Sequence, residues 1–268
     1  MERLRRWLEY YCWLPGMSKV AVKGIIMAGG LGTRFRPLTN YLQKCMIPIG
    51  DEEKPILEYI IRLFKYHDIR DLILLVGYRY LQIENYFDQG ERFGVRLSYV
   101  EDKPGWKGSA NAILNAYNEG AFSKDDTLII YYGDIVSNLN LTALLEQHKK
   151  TGAKATVALT TGLKINEGTA EVDGDWITEF KEKPQLDTKA SIGVLILDGS
   201  VIENMMELHS AGQFTSFDLM GDVVQYLVEH NHKVAAYLTN AFWYDVGSIE
   251  RYERLSNERI SEELGFLL

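Results

Sequence analysis

Cysteine is scarce in this chain: Cys12 and Cys45 are the only two in 268 residues. That excludes a disulfide framework, and their separation matches no metal or redox spacing, so a reducing, cytoplasmic setting is expected. No apolar run reaches the ~18 residues of a membrane span, and no membrane partner is expected. Positive charge is also short, with 29 Lys and Arg against 37 Asp and Glu for a net charge of −8. This argues against nucleic acid held on a broad basic face. Anionic small molecules stay open, provided that positive charge is concentrated in one cleft. No internal repeat, low-complexity segment or long linker is present. Two familiar phosphate motifs are missing as well. After Gly30 and Gly32 the third glycine of a dinucleotide fingerprint is replaced by Phe35, and no glycine is followed by the Lys-Ser/Thr of a P-loop.

What is present is an ordinary globular composition, 46% apolar and 25% charged, over a length that supports a sizeable core. Short β-branched runs read as buried strands at Val22–Met27, Leu72–Val76, Arg96–Val100 and Thr127–Tyr131. Between them, helical patterns cover Pro55–Tyr66, Tyr80–Phe87 and Ser109–Tyr117. Alternation of this kind predicts an α/β fold, a Rossmann-like and mostly parallel sheet flanked by helices. The second half is more mixed. A helix at Leu141–Lys150 precedes strands at Ala155–Thr160, Gly168–Val172, Trp176–Phe180 and Ile192–Leu197, with a hairpin turn at Asp173-Gly174-Asp175. A helix around Phe217–Glu229, a strand Lys233–Tyr237 and a last helix from Ser248 follow. The expected fold is one continuous domain over 19–268, with a small antiparallel portion. Residues 1–18 read as an extension. Arg3, Arg5 and Arg6 precede an aromatic segment, but Glu9 interrupts it and no cleavage site follows. An amphipathic helix, or a true start at Met17, would each explain it.

The stretch Val22 to Thr39 carries the most information. A buried strand runs into Ala28-Gly29-Gly30-Leu31-Gly32-Thr33-Arg34. Its glycines permit positive φ and bare amides, which form an anion nest, and Arg34 adds a forked permanent charge. The local chemistry is that of polyphosphate binding. Tyr131-Tyr132-Gly133-Asp134 and Trp243-Tyr244-Asp245-Val246-Gly247 each end a strand with an aspartate. Either could be an ordinary turn residue; together they could converge on one Mg²⁺, which takes oxygen ligands and shares them with substrate phosphates. Lys44 and the run Phe180-Lys181-Glu182-Lys183-Pro184 would otherwise be solvated loop charges.

Taken together, these strings resemble the sugar-1-phosphate nucleotidylyltransferases, whose pattern is roughly GGxGTRLxPLT, a lysine loop, a strand-end Gly-Asp, F-x-E-K-P and W-x-D-x-G, in that order. The resemblance runs from Lys19 to about Ile260 and makes 19–268 a nucleotidyltransferase domain of the nucleotide-diphospho-sugar transferase type. It implies that Ala28, Gly29, Gly30, Gly32 and Thr33 bind nucleotide, with Arg34 and Lys44 on its phosphates. It implies that Gly133, Gly168 and Glu182 contact the sugar and Lys183 its phosphate, and that Asp134 and Asp245 hold Mg²⁺. Three departures stand out. Gln43 and Cys45 replace the prolines flanking the lysine, which should leave that loop less preorganised. Glu167 stands where a tyrosine is usual before Gly168. Gly108-Ser109-Ala110 replaces a form nearer L-G-T-A, at a helix start whose free amides could receive nucleotide. Glu101 lies near the base-reading position, and an acceptor-only carboxylate leans towards guanine.

The expected activity is Mg²⁺-dependent joining of an NTP and a sugar 1-phosphate into an NDP-sugar and pyrophosphate. GTP with mannose 1-phosphate is slightly preferred over dTTP with glucose 1-phosphate. The rival expectation is a catalytically silent homologue that binds nucleotide sugar and regulates a partner. Homo-oligomerisation is left open. The repeat domain by which some relatives trimerise has no counterpart in this sequence, so any assembly would use the catalytic domain.

Overall fold

The computed structural model describes residues 21–161, 163–164, 168–186, 188–212 and 214–268. The readings made on residues 1–18, on Cys12 and on Glu167 therefore lie outside the described residues.

Seven strands build the central sheet: β1 (Val22–Ala28), β2 (Asp71–Val76), β3 (Arg96–Glu101), β4 (Thr127–Tyr132), β6 (Ala155–Thr160), β9 (Ala190–Asp198) and β10 (Val234–Thr239). A short β5 (Ile135–Ser137), a hairpin of β7 (Thr169–Asp173) and β8 (Trp176–Lys181), and β11 (Trp243–Asp245) lie outside it. The sheet order is β10-β6-β9-β4-β1-β2-β3. All neighbours pair in parallel except β9, which is antiparallel to both β4 and β6. The chain steps outward from β1 to β2 and β3, then returns past β1 to β4. This reversal puts a topological switch between β1 and β4, the crevice in which open α/β sheets bind ligands.

Both sheet faces are covered, so the strands read as continuous apolar runs. Alternation sends Ile26, Leu74 and Ile129 to a core shared with α1 (Ile56–Tyr66) and α2 (Leu81–Phe87). Ile25, Ile73 and Ile130 face the opposite core, under α3 (Ser109–Asn118) and α5 (Val201–Ala211). Remaining helices are α4 (Leu141–Thr151), α6 (Gln225–Glu229), α7 (Ile249–Glu253) and α8 (Asn257–Leu264).

Most expected elements are present, with ends shifted by a residue or two. Three differ for local reasons. Pro55 precedes α1 rather than entering it, because it pairs with Pro48 in a two-residue ladder. The helix expected over Phe217–Glu229 begins as a π-helical turn at Leu219–Val224, where the Asp218 carboxylate accepts the amides of Met220 and Gly221. The last helix is two, because Ser256 caps a new start by accepting the Arg259 amide at 3.2 Å.

Candidate active site

The end of β1 delivers the glycine turn to the switch point. Gly32 adopts φ +61°, and a Cβ there would press on Thr39, whose hydroxyl donates to the Gly32 carbonyl at 2.8 Å. Phe35, wholly buried, anchors the turn and leaves its neighbours Thr33 and Arg34 exposed. Gly29, Gly30 and Leu31 line a cavity of about 400 Å³ together with Lys44, Asp102 and Trp106. Ala28 is buried beneath it, its carbonyl taken by the Gln43 side chain.

Asp134 follows β4 and Asp245 ends β11. Antiparallel pairing of β5 with β11 sets Asp245 opposite Ile135, and the Val246 amide donates to the Asp134 carbonyl at 2.8 Å. The two carboxylates thus sit on adjacent strand ends. Each carries a cation: Lys44 is paired with Asp134 and Arg251 with Asp245. Burial, then the neighbouring Asp134 charge, raises the Asp245 carboxyl above its ordinary range against the opposing pull of Arg251, Lys44 and Arg34. Its Oδ1 is buried with no hydrogen-bond partner. Two carboxylates with one orphaned oxygen fit a hard divalent cation such as Mg²⁺. Among the described residues no cluster of three or more His, Cys, Asp or Glu forms, so further oxygens would have to come from substrate or water. A second cavity of about 390 Å³ is lined by Ser191, Gly193, Trp243, Asp245 and Arg251. Both cavities share Tyr132 and Asp134.

Other expected residues are placed less simply. Gly133 lines neither cavity; its amide donates to the Met27 carbonyl at 3.0 Å, and a Cβ on it would lie 2.8 Å from the Cys45 sulfur. Gly108 lines the first cavity, but its φ of +102° and missing side chain serve packing within the protein, since a Cβ would collide with the Phe217 backbone. One amide of the α3 start is already used, Ala110 donating to the Phe217 carbonyl at 3.0 Å. Glu101 is still in β3 and lines a neighbouring depression with Tyr99, Asn115 and Asp102, not the first cavity. Asp102, the next residue, faces the first cavity, its carboxylate against Gly29 and Gly77, and burial followed by the Glu101 charge raises its carboxyl. Sequence reading missed Asp102 because the strand runs one residue further than its apolar pattern. It also missed Arg251, for which no local signal exists. Gly168, Glu182 and Lys183 come together on the exposed β7–β8 hairpin, where a Cβ on Gly168 would lie 3.2 Å from Glu182 Oε2. They line neither cavity.

With two cavities sharing Asp134 just beyond β4, beside the switch point of a mostly parallel sheet, this is an α/β protein with the ligand crevice of an open sheet. Its kinship is narrower: the nucleotidyl transferase family model matches residues 23–262, and the chain belongs to that family. Among curated relatives, a UTP–glucose-1-phosphate uridylyltransferase of Synechocystis sp. is 31% identical over 259 residues, covering 91% of this chain and 64% of the relative. A glucose-1-phosphate adenylyltransferase of Deinococcus radiodurans is 26% identical over 281 residues, covering 91% and 68%. The chain therefore spans only about two thirds of the length of these relatives. Among solved structures, a Bacillus anthracis protein described as a glucose-1-phosphate thymidylyltransferase superposes with TM-score 0.69 at 22% identity, covering 87% of this chain and 93% of that one. HddC from Yersinia pseudotuberculosis complexed with GMP-PN gives 0.64 at 20%, covering 89% and 99%. At such identities these two speak to the fold. No helix among the described residues is long and apolar enough to cross a membrane.

Proposed function

We propose that the chain joins a nucleoside triphosphate to a sugar 1-phosphate, giving a nucleoside-diphosphate sugar and pyrophosphate. The observation that carries this reading is Asp134, shared by two cavities and flanked by Lys44 and Asp245. Nucleotide occupies the cavity of the glycine turn and sugar 1-phosphate the one beside Trp243. An oxygen of the sugar phosphate attacks the α-phosphorus in line; the new P–O bond replaces the bond to the β-phosphate, and pyrophosphate leaves with the electron pair. No proton moves, so positioning and charge must supply the rate. Arg34, the Gly29–Gly32 amides and Lys44 hold the leaving phosphates. Glu182 and Lys183, on the hairpin, take the sugar hydroxyls and the attacking phosphate. Mg²⁺ held by Asp134 and Asp245 would neutralise charge on both phosphates.

For the base, Asp102 rather than Glu101 supports GTP, because an acceptor-only carboxylate matches the adjacent N1–H and N2–H₂ donors of guanine. Mannose 1-phosphate is the partner we pair with it. The relatives named for UTP or ATP with glucose 1-phosphate make those pairs the main competitors. A cytoplasmic setting is supported by the scarcity of cysteine.

The test is Mg²⁺-dependent pyrophosphate release across a grid of NTPs and sugar 1-phosphates. One bright pair establishes the reaction; a blank grid with nucleotide-sugar binding still detectable moves the reading to a silent regulatory homologue. Asp134→Ala and Asp245→Ala are each expected to abolish turnover with the far-UV circular dichroism unchanged. Substantial Mg²⁺-dependent activity in both would remove the metal assignment.

A further inference from the structure

Arg251 sits on α7 with its backbone held at both ends. Ser248 Oγ accepts its amide at 3.3 Å, and its carbonyl accepts the Tyr244 hydroxyl at 2.6 Å. The side chain is 51% exposed, and its polar contact is the Asp245 carboxylate. Lys44 stands in the same relation to Asp134. Two carboxylates are thus balanced by two cations, each from an element other than the strand pair that carries the acids. Arg251 also lines the second cavity, beside Trp243 and Asp134. Asp245 meanwhile keeps Oδ1 buried and unpartnered, so one guanidinium does not satisfy it.

We propose that Arg251 is a phosphate-binding residue that holds Asp245 while the carboxylates are free of metal. It passes to the phosphate of the sugar 1-phosphate once a divalent cation takes Asp245. The identity of that phosphate rests on the nucleotidylyltransfer reading; the exchange at Asp245 does not. A guanidinium and a divalent cation on one carboxylate repel each other at close range in a partly buried site. The guanidinium cannot relieve this by losing its proton, so it must move. Its planar fork fits phosphate as well as carboxylate, and the pinned backbone keeps the moving end within the second cavity. Metal on Asp134 would free Lys44 in the same way for the phosphates of the nucleotide.

Arg251→Gln keeps hydrogen-bonding capacity and removes the charge; Arg251→Lys keeps the charge and loses the fork. Mn²⁺ affinity is read by electron paramagnetic resonance without substrates, and KM is measured for each substrate with the other saturating. Arg251→Gln is expected to bind Mn²⁺ about three- to tenfold more tightly than the native chain, since a competing cation is gone. It should raise the KM for sugar 1-phosphate at least about tenfold while leaving that for NTP within about twofold. Arg251→Lys should recover most of the lost substrate affinity. A residue that merely braced Asp245 would give the opposite sign for metal, because a loosened carboxylate binds Mn²⁺ less well. Unchanged or weakened Mn²⁺ binding in Arg251→Gln overturns the proposal, and so does an unchanged KM for sugar 1-phosphate. If the native chain turns over no substrate pair, the function reading fails by itself. Inorganic phosphate titrated calorimetrically into Mg²⁺-loaded protein then replaces the KM measurement: binding about tenfold weaker in Arg251→Gln supports the proposal, and equal binding overturns it.

Discussion

Gln43 stands where the resembling family carries proline, and it braces the lysine loop by hydrogen bonds instead of ring geometry. The side chain is wholly buried. Its Nε2 donates to the Ala28 carbonyl at 2.7 Å, its Oε1 accepts the Cys45 amide at 2.5 Å, and its own amide donates to Gln82 Oε1 at 2.7 Å. The expectation of a less preorganised loop is corrected by these contacts, which tie Lys44 to the end of β1 just before the glycine turn. Gln43→Leu keeps the volume but strands the Ala28 carbonyl and the Cys45 amide, each at a cost of about 1–3 kcal/mol when buried. We expect a clearly lower urea midpoint and a fall in kcat as Lys44 loses its register on Asp134. A midpoint within error of the native value would show that water reaches both groups and that the brace is dispensable.

At the scale of elements, legibility followed contiguity. The β1 strand with its glycine turn, and the strand ends at Asp134 and Asp245, could be read because apolar run, turn residue and candidate side chain are neighbours in sequence. Where the deciding partner is distant, reading stopped short. Asp102 reaches the cavity because β3 pairs with β2 through Glu101, one residue beyond the apolar pattern. Gly108 is shaped by Phe217, more than a hundred residues away. The strand ending at Asp245 was expected, but β5 and its pairing with β11, which bring the two aspartates together, were not, since a three-residue strand carries too little periodicity to register.

The helices also carry a pH dependence that belongs to this scale. His148, near the end of α4, shares a 2.8 Å hydrogen bond with Thr156 on β6, and His67 after α1 contacts Thr142 at the start of α4. Burial lowers both pKa values below the ordinary histidine range. Above about pH 7.5, a unit over the ordinary histidine value, both rings are neutral in folded and unfolded chains alike, so they add no slope. Below it the unfolded chain takes up protons first, and stability falls with pH until the folded rings also titrate. The urea midpoint should therefore drop between about pH 7.5 and 5.5, and His148→Gln, which can keep the bond to Thr156, should remove part of that drop. An identical drop in the variant would assign the slope to other groups.

Across the whole molecule, burial is uneven in a way that bears on the site. The seven-stranded sheet is covered on both faces, whereas every residue of β8 and all but one of β7 are exposed, with Trp176 at 78% and Phe180 at 60%. A two-stranded ribbon with no covered face is marginal alone, and its opening free energy should sit far below that of the core. Hydrogen exchange at the β7–β8 amides is accordingly expected to be orders of magnitude faster than in β1 and β4. The proposed sugar-side residues Glu182 and Lys183 lie on this ribbon, off both cavities. If they grip the sugar and its phosphate, they can do so only with the ribbon held against the second cavity. Slowed exchange at 169–181 on adding sugar 1-phosphate with a non-hydrolysable NTP is then the expected signature. The glycine-turn amides should respond to the nucleotide alone. Exchange at 169–181 that ignores the sugar phosphate, while β1 and the glycine turn become protected, would take Glu182 and Lys183 out of the sugar subsite. Attacking-phosphate contact would then fall to the residues of the second cavity, Arg251 among them.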